Sequence, residues 1–254
     1  MLFRSHGESL LVRLEGTTAL VTGAGRRIGR EIAIGLAQTG CDIAIHYHGS
    51  RAGAEETARA VRAAGRRAEL LQADLTDPKA ARALADQATK LLKRLDVLVN
   101  SAAIMVRQPV EEVTPESWDA TLDLNLRAMF FVSQGAIPHL RRAKGKIVNI
   151  ADLAGLEPWP AYVTHCVSKA GVIMLTKALA RALAPDIAVN AIAPGAVLLP
   201  EEWDDAARPH IVETTPLRRL GAPADVVAGV RFLLADTDYV TGTVLVIDGG
   251  RLIR

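Results

Sequence analysis

Strand-like and helix-like segments alternate along almost the whole chain, and this restricts the fold more than any other feature of the sequence. The β-branched run TTALVTG (Thr17–Gly23) closes on glycine, as a strand entering a tight turn does. Ile28, Ile32 and Leu36 then recur at helical spacing until Gly40 ends the segment. CDIAIHY, AELLQAD, LDVLVNSAA, KGKIVNIAD, DIAVNAIAPG and GTVLVIDGG read as six further strands. Helices are expected over 52–64, from Pro78, from Thr114-Pro115-Glu116 with threonine as the cap, from about Tyr162 to Leu183, and over 224–235. Strands separated by helices of this length form right-handed crossover units, which predict a doubly wound α/β fold around a seven-stranded parallel sheet flanked by helices. No Pro/Ser-rich linker or break in composition interrupts the pattern, so residues 1–254 are expected to form one domain. In such sheets ligands bind beyond the carboxyl ends of the strands, and the residues of chemical interest here follow strands.

Composition narrows the function classes. Half of the 254 residues are hydrophobic but only 4% are aromatic, which suits a core of Ala, Val, Leu and Ile under helices. A net charge of +2, with no basic run interleaved with aromatics, gives no footprint for nucleic acid. Two cysteines, Cys41 and Cys166, make neither a disulfide framework nor a metal motif, and point to a reducing, cytoplasmic setting. His46 and His48 share a strand face but have no third ligand nearby, so no metal is expected. No apolar run reaches the length of a membrane span. Residues 1–14 carry His6, Glu8 and Arg13, are unlike a signal peptide, and read as an N-terminal extension.

The sharpest local motif is VTGAGRRIG, with Gly23, Gly25 and Gly29 following the first strand and Arg26, Arg27 and Ile28 leading into a helix. Glycine lets the backbone turn and approach a pyrophosphate, whose charge meets the helix N-terminus. This marks a Rossmann-type dinucleotide site. The spacing Gly-x-Gly-x-x-x-Gly after threonine resembles that of short-chain dehydrogenases/reductases. Asp74, NSAA (Asn100–Ala103), Asn125, Lys169 and Pro194-Gly195 follow in that family's order. GAGRRIG, IHYHGSR, NIAD, APGAVLLPE, TPLRRLG and VTGTVLVIDGGR are most similar to the pteridine reductase branch. That resemblance implies NADPH-dependent reduction of a pteridine, a dihydrofolate or a related conjugated C=N or C=C substrate.

The choice of cofactor also has a basis in the residues. An NAD site wants a carboxylate about 20 residues beyond the glycines. HYHGSR offers His48, Ser50 and Arg51 instead, with Arg26 in the glycine loop, a set suited to a ribose phosphate. NADPH is therefore expected. By resemblance, Asp74 and Leu75 flank the adenine, while Asn100 and Ala102 lie beneath the ribose.

The catalytic segment is AYVTHCVSKAG (Ala161–Gly171). In the family a serine, a tyrosine and a lysine act together, backed by an asparagine. The resemblance places the lysine at Lys169 and the asparagine at Asn125. It places the serine position at Asp152, where the pteridine reductase branch also has aspartate. The tyrosine position holds His165. Three readings stay open. His165 is the proton donor, with Asp152 favouring its charged form. Alternatively Tyr162 is the donor, since seven helical residues bring it to within about 20° of Lys169, a spacing similar to enoyl-acyl carrier protein reductases. In the third reading the chain binds NADP(H) without turnover.

Trp159, between two prolines, is expected to face the substrate together with Leu198. Residues 198–216 form a long polar connection after the sixth strand and are expected to act as a substrate lid. Cys166 is read as an inert free thiol. Family resemblance implies a homotetramer built across the long helix, the 162–183 helix and the VIDGG end.

Overall fold

The computed structural model describes residues 14–199 and 207–253. The 1–14 extension, apart from Leu14, and residues 200–206 of the expected lid lie outside the described residues. Strands β1 (Thr18–Val21), β2 (Asp42–Tyr47), β3 (Ala68–Gln72), β4 (Val97–Asn100), β5 (Lys146–Ile150), β6 (Ala188–Pro194) and β7 (Val244–Ile247) form one sheet in the order β3-β2-β1-β4-β5-β6-β7. Every adjacent pair is parallel, as the alternating pattern predicts. Strand order reverses between β1 and β4, which opens a crevice at their carboxyl ends.

The helices are α1 (Arg27–Gln38), α2 (Arg51–Ala63), α3 (Pro78–Leu92), α4 (Pro115–Leu122), α5 (Ala128–Ala143), α6 (Val163–Leu183), α7 (Ala207–Thr214) and α8 (Pro223–Arg231). Local chemistry sets their starts. Asp77 accepts from the Lys79 amide ahead of Pro78, and Thr114 and Ser117 exchange bonds in a capping box at Pro115. The long helix expected from Thr114 is not uniform: α4 runs into a π turn at Asp123–Arg127 before α5. A second π turn, Phe232–Asp236, replaces the end of the helix expected over 224–235. Such turns widen a helix by one residue and concentrate at functional positions.

Strand alternation feeds two apolar layers. Along β1, Ala19 and Val21 join Ile32, Leu36, Val226 and Val230 on one face, while Leu20 joins Leu84, Leu98, Leu140 and Ile147 on the other. These side chains are essentially solvent-free, and truncating one such leucine to alanine costs about 2–5 kcal/mol. Among the described residues no helix is long and apolar enough to cross a membrane.

Candidate active site

The crevice is built first from the β1–α1 loop. Gly23 has φ +66°, and a Cβ there would lie 2.8 Å from the Ala102 Cα. A Cβ on Gly29 would lie 2.5 Å from the Gly23 carbonyl oxygen. Both positions thus admit only hydrogen, and the loop passes tightly under the free N-terminus of α1. The Thr22 hydroxyl accepts from the Ser101 and Ala102 amides at 2.9 and 3.1 Å, tying this loop to the exit of β4. His46 fixes it from the other side. Its Nδ1 accepts from the Gly23 amide at 3.1 Å, and its Nε2–H donates to the Ala73 carbonyl at 3.2 Å. Burial pushes the His46 pKa down to about 4, so the ring is neutral and structural. Gly25 packs against the Ser50 carbonyl, and Ile28 is half-buried in the loop. This is a cradle for a pyrophosphate, and the residues present fit a dinucleotide.

At the β2 end no acid occupies the position expected of an NAD site. Arg26 is exposed, with no side-chain partner among the described residues. Arg51 donates to Glu55 at 3.0 Å, and Ser50 stands before α2 without capping it. His48 lies 3.5 Å from Asp74. The Asp74 carboxyl also accepts from the Thr76 amide and hydroxyl, and those bonds hold its pKa below the usual range. Leu75 is buried behind it. Asn100 departs from its expected role in one respect. Its side chain turns into the interior, donating to Ser133 Oγ at 3.0 Å and Asn149 Oδ1 at 2.9 Å, so only its main chain is available to a ribose. Pro194 ends β6, and the Gly195 amide is anchored on the Ile247 carbonyl at 2.9 Å, with no room for a side chain against Asp248.

The chemical residues converge at the ends of β4 and β5 and the start of α6. Asn125, fully buried in the first π turn, accepts from the Ile104 amide at 2.8 Å and donates to the Ile104 carbonyl at 2.9 Å and Ser168 Oγ at 3.0 Å. Its amide is thus committed to clamping the loop after β4 onto α6. Lys169 donates from Nζ to the Ile150 carbonyl at 2.8 Å. Burial lowers its pKa, with Asp152 opposing that effect. His165 meets the clamped strand exit through Nδ1, 3.3 Å from the Ile104 carbonyl. Its Nε2 lies 3.7 Å from Asp152 Oδ2 and has no hydrogen-bond partner. The imidazole is 3% exposed and the Asp152 side chain 25%, so the carboxylate bridges a dry ring and the solvent. Asp152 is itself oriented by the Ala154 amide, 2.9 Å from Oδ1. The structure therefore brings Asp152 and His165 together, beside Asn125 and Lys169.

Tyr162 requires a correction. It stands at the N-cap of α6 with φ −138° and ψ 37°, outside the helix. The Trp159-Pro160 turn sets it there, so the helical phase expected to align it with Lys169 does not reach it. Its ring is buried edge-on to Trp159, with centroids 6.0 Å apart. Trp159 is held by its Nε1–H on Glu157 at 2.9 Å and by its amide on Cys166 Sγ. Leu198 is at the surface, and its carbonyl takes a bond from Arg27. The Ile104 main chain escaped the sequence reading because nothing in its side chain marks a carbonyl that serves two partners. In the sequence His46 is marked only by its spacing from His48, and the two bonds that fix the loop emerge from the fold. Among the described residues no His, Cys, Asp and Glu group could hold a metal.

Comparison with known proteins agrees with this geometry. A family model described as enoyl-(acyl carrier protein) reductase matches residues 23–251. The 3beta-hydroxysteroid dehydrogenase 1 of Eggerthella lenta is 38% identical over 245 residues, covering 93% of this chain and 94% of that protein. The 3-oxoacyl-(acyl-carrier-protein) reductase FabG of Staphylococcus aureus is 36% identical over 238 residues, 92% of this chain and 97% of its own. A solved short-chain dehydrogenase/reductase of Serratia marcescens superposes with a TM-score of 0.89 at 31% identity, over 95% of this chain and 100% of that one. With its seven-stranded parallel sheet and glycine loop, the chain belongs to the short-chain dehydrogenase/reductase family of oxidoreductases.

Proposed function

We propose that the chain is an NADPH-dependent reductase of a flat conjugated substrate, a pteridine, dihydrofolate or related C=N or C=C compound, in which His165 is the proton donor. One observation carries the reading: a buried imidazole whose unpartnered Nε2 faces the Asp152 carboxylate at 3.7 Å. NADPH, when bound, supplies the hydride. The Ile104 carbonyl holds the His165 Nδ1–H, which leaves Nε2 as the atom that carries the transferable proton. His165 passes this proton to the ring nitrogen beside the carbon that is reduced, and Asp152, open to solvent, returns one to it. Lys169 has one donor on Ile150 and two left for the ribose hydroxyls. Arg26, His48, Ser50 and Arg51 are the groups for the ribose phosphate, Asp74 and Leu75 flank the adenine, and Pro194 and Gly195 back the nicotinamide. Trp159 and Leu198 wall the substrate side.

A second reading, hydride transfer to a carbonyl carbon, is favoured by the relatives' names, hydroxysteroid dehydrogenase and oxoacyl reductase. Stopped-flow loss of NADPH absorbance, with dihydrobiopterin, dihydrofolate, a ketosteroid and an oxoacyl thioester side by side, separates the two. Turnover of the pterins that disappears in H165F and persists in Y162F supports the proposal. Loss in Y162F alone makes Tyr162 the donor, and NADPH binding without turnover of any substrate makes the protein a silent binder. We further place the functional unit as a homotetramer. Phe130, Val167 and Met174 leave apolar surface on α5 and α6, with Met174 63% exposed. Light scattering after size exclusion measures it.

A further inference from the structure

Hydride transfer needs one proton donor beside the reduced atom, and the catalytic segment holds more than that. The Ile104 carbonyl can only accept, so the His165 Nδ1 that faces it at 3.3 Å carries a hydrogen. The neutral ring therefore turns a bare lone pair at Nε2 toward Asp152 Oδ2, 3.7 Å away. A lone pair facing a carboxylate is repelled, so the two groups hold one proton between them. In the ionised arrangement Nε2–H is an acid and Oδ2 a base, side by side. Neither atom is otherwise engaged. Nε2 has no hydrogen-bond partner, and among the described residues the carboxylate accepts only at Oδ1, from the Ala154 amide at 2.9 Å. The Asp152 side chain is 25% exposed and the imidazole 3%, so the base reaches the cleft and exchanges protons with water. The buried Lys169 ammonium lies close enough to act on the Asp152 charge.

We propose that this acid–base pair has a second activity that uses no hydride: it interconverts ketones and their enols. The activity rests on the Asp152–His165 pair of the proposed function and not on its cofactor. Asp152 Oδ2 takes a proton from the carbon next to the carbonyl. The C–H bond breaks, its electrons become the C=C bond, and the C=O electrons move to oxygen. That oxygen takes the proton of His165 Nε2, which completes the enol. Asp152 is then protonated and His165 neutral, and the proton passes from Oδ2 to Nε2 to restore the pair. No proton is gained or lost, and no oxidant or reductant takes part. The substrate class is a ketone with a hydrogen on the adjacent carbon. Flat cyclic ketones suit it best, because Trp159 walls the substrate side in the proposed function.

Deuterium exchange reads this activity. The probes are cyclohexanone and a saturated 3-ketosteroid in D2O, with NADP+ present so that no hydride is available. Loss of the proton signals beside the carbonyl is followed by nuclear magnetic resonance. The wild type is expected to exchange them about 100-fold faster than buffer, the lower end of what positioned acid–base groups supply. Its rate should be bell-shaped in pD, because an acid and a base are both needed, whereas the hydroxide-driven background climbs steadily. D152N and H165N should each fall to the buffer rate while keeping the far-UV circular dichroism of the wild type. H139N, which removes the His139–Asp86 pair between α3 and α5, should exchange like the wild type. Exchange of neither ketone above the buffer rate overturns the proposal, as does undiminished exchange in D152N. Exchange without NADPH oxidation on any substrate leaves this activity standing and removes the reductase. NADPH oxidation without exchange does the reverse.

Discussion

Acidification should destabilise this protein in a window set by one histidine. His46 is 2% exposed at the end of β2, where its neutral ring accepts from Gly23 and donates to Ala73. Desolvation is the main cause of its low pKa, about 4 against 6.5 for a free histidine, and the Ala73 bond only partly opposes it. Between those two pH values the unfolded chain binds a proton that the folded chain excludes. Stability is therefore complete above pH 6.5, falls as pH drops, and levels off below pH 4 as far as this residue is concerned. The slope approaches 1.4 kcal/mol per pH unit, and over the window the loss is about 3 kcal/mol. Carboxylates with lowered pKa, Asp74, Glu116 and Asp225, start from 3.8 to 4.5 and act at the lower edge of the window and beneath it. The assay is urea denaturation followed by far-UV circular dichroism at half-unit steps of pH, on the wild type and on H46N. Asparagine keeps an acceptor near the Gly23 amide but does not titrate. The wild-type curve should fall away from the H46N curve by about 3 kcal/mol between pH 6.5 and 4. Parallel curves would refute the assignment of a buried neutral imidazole.

Other expected outcomes test the remaining parts of the molecule. Replacing His165 with tyrosine, the residue at this position in the resembled family, should retain turnover with an altered pH–rate profile, whereas H165F should abolish it; steady-state rates across pH decide. N125A should cost about 1–3 kcal/mol in chemical denaturation, because it strands the Ile104 amide in the interior and takes one of two partners from the Ile104 carbonyl and from the Ser168 hydroxyl. R26A/R51A should weaken NADPH about tenfold or more while leaving NADH nearly unchanged, read by fluorescence titration. K146M should cost about 3 kcal/mol, since the buried Lys146 ammonium donates to the carbonyls of Leu233, Leu234 and Thr237.

The fold was legible because each strand is short, apolar and closed by glycine or a polar turn, and because helix starts carry chemical marks. Thr114-Pro115 and Pro78 are such marks: Thr114 caps α4 and Pro78 opens α3, as the sequence suggested, while the Asp77 cap appears in the structure. The π turns were not legible. A single extra residue in a helix leaves the apolar periodicity of its neighbours almost intact, so nothing in DLNLR announces the widening at Asn125. Contacts made by main-chain groups were equally hidden, which is why the two partners of the Ile104 carbonyl appear only in three dimensions.

The same distinction governs the altered catalytic segment. Sequence spacing treated Tyr162 and His165 as two candidates on one helical stripe, because both fall within seven residues of Lys169. Spacing is informative only while dihedrals are helical, and Pro160 ends that condition: the chain turns at Pro160–Tyr162 and the helix begins at Val163. His165 is inside the helix, so its direction is tied to that of Lys169, while Tyr162 is turned toward Trp159. What distinguishes His165 further is the polarity of its surroundings. An apolar burial would leave both ring nitrogens without partners, and here one meets a carbonyl that Asn125 holds in place while the other meets a carboxylate. Asp152 and His165 thus have to be read as a pair: the aspartate, which the resembled branch also carries, stands where it gives the histidine a charged neighbour. D152N tests that pairing directly. Asparagine fits the same space and keeps an acceptor for the Ala154 amide, yet it cannot relay a proton. It should therefore lower turnover in a manner that an added small carboxylic acid partly restores, with little change in the affinity for NADPH. Full activity in D152N would separate the two residues and return the proton to another donor.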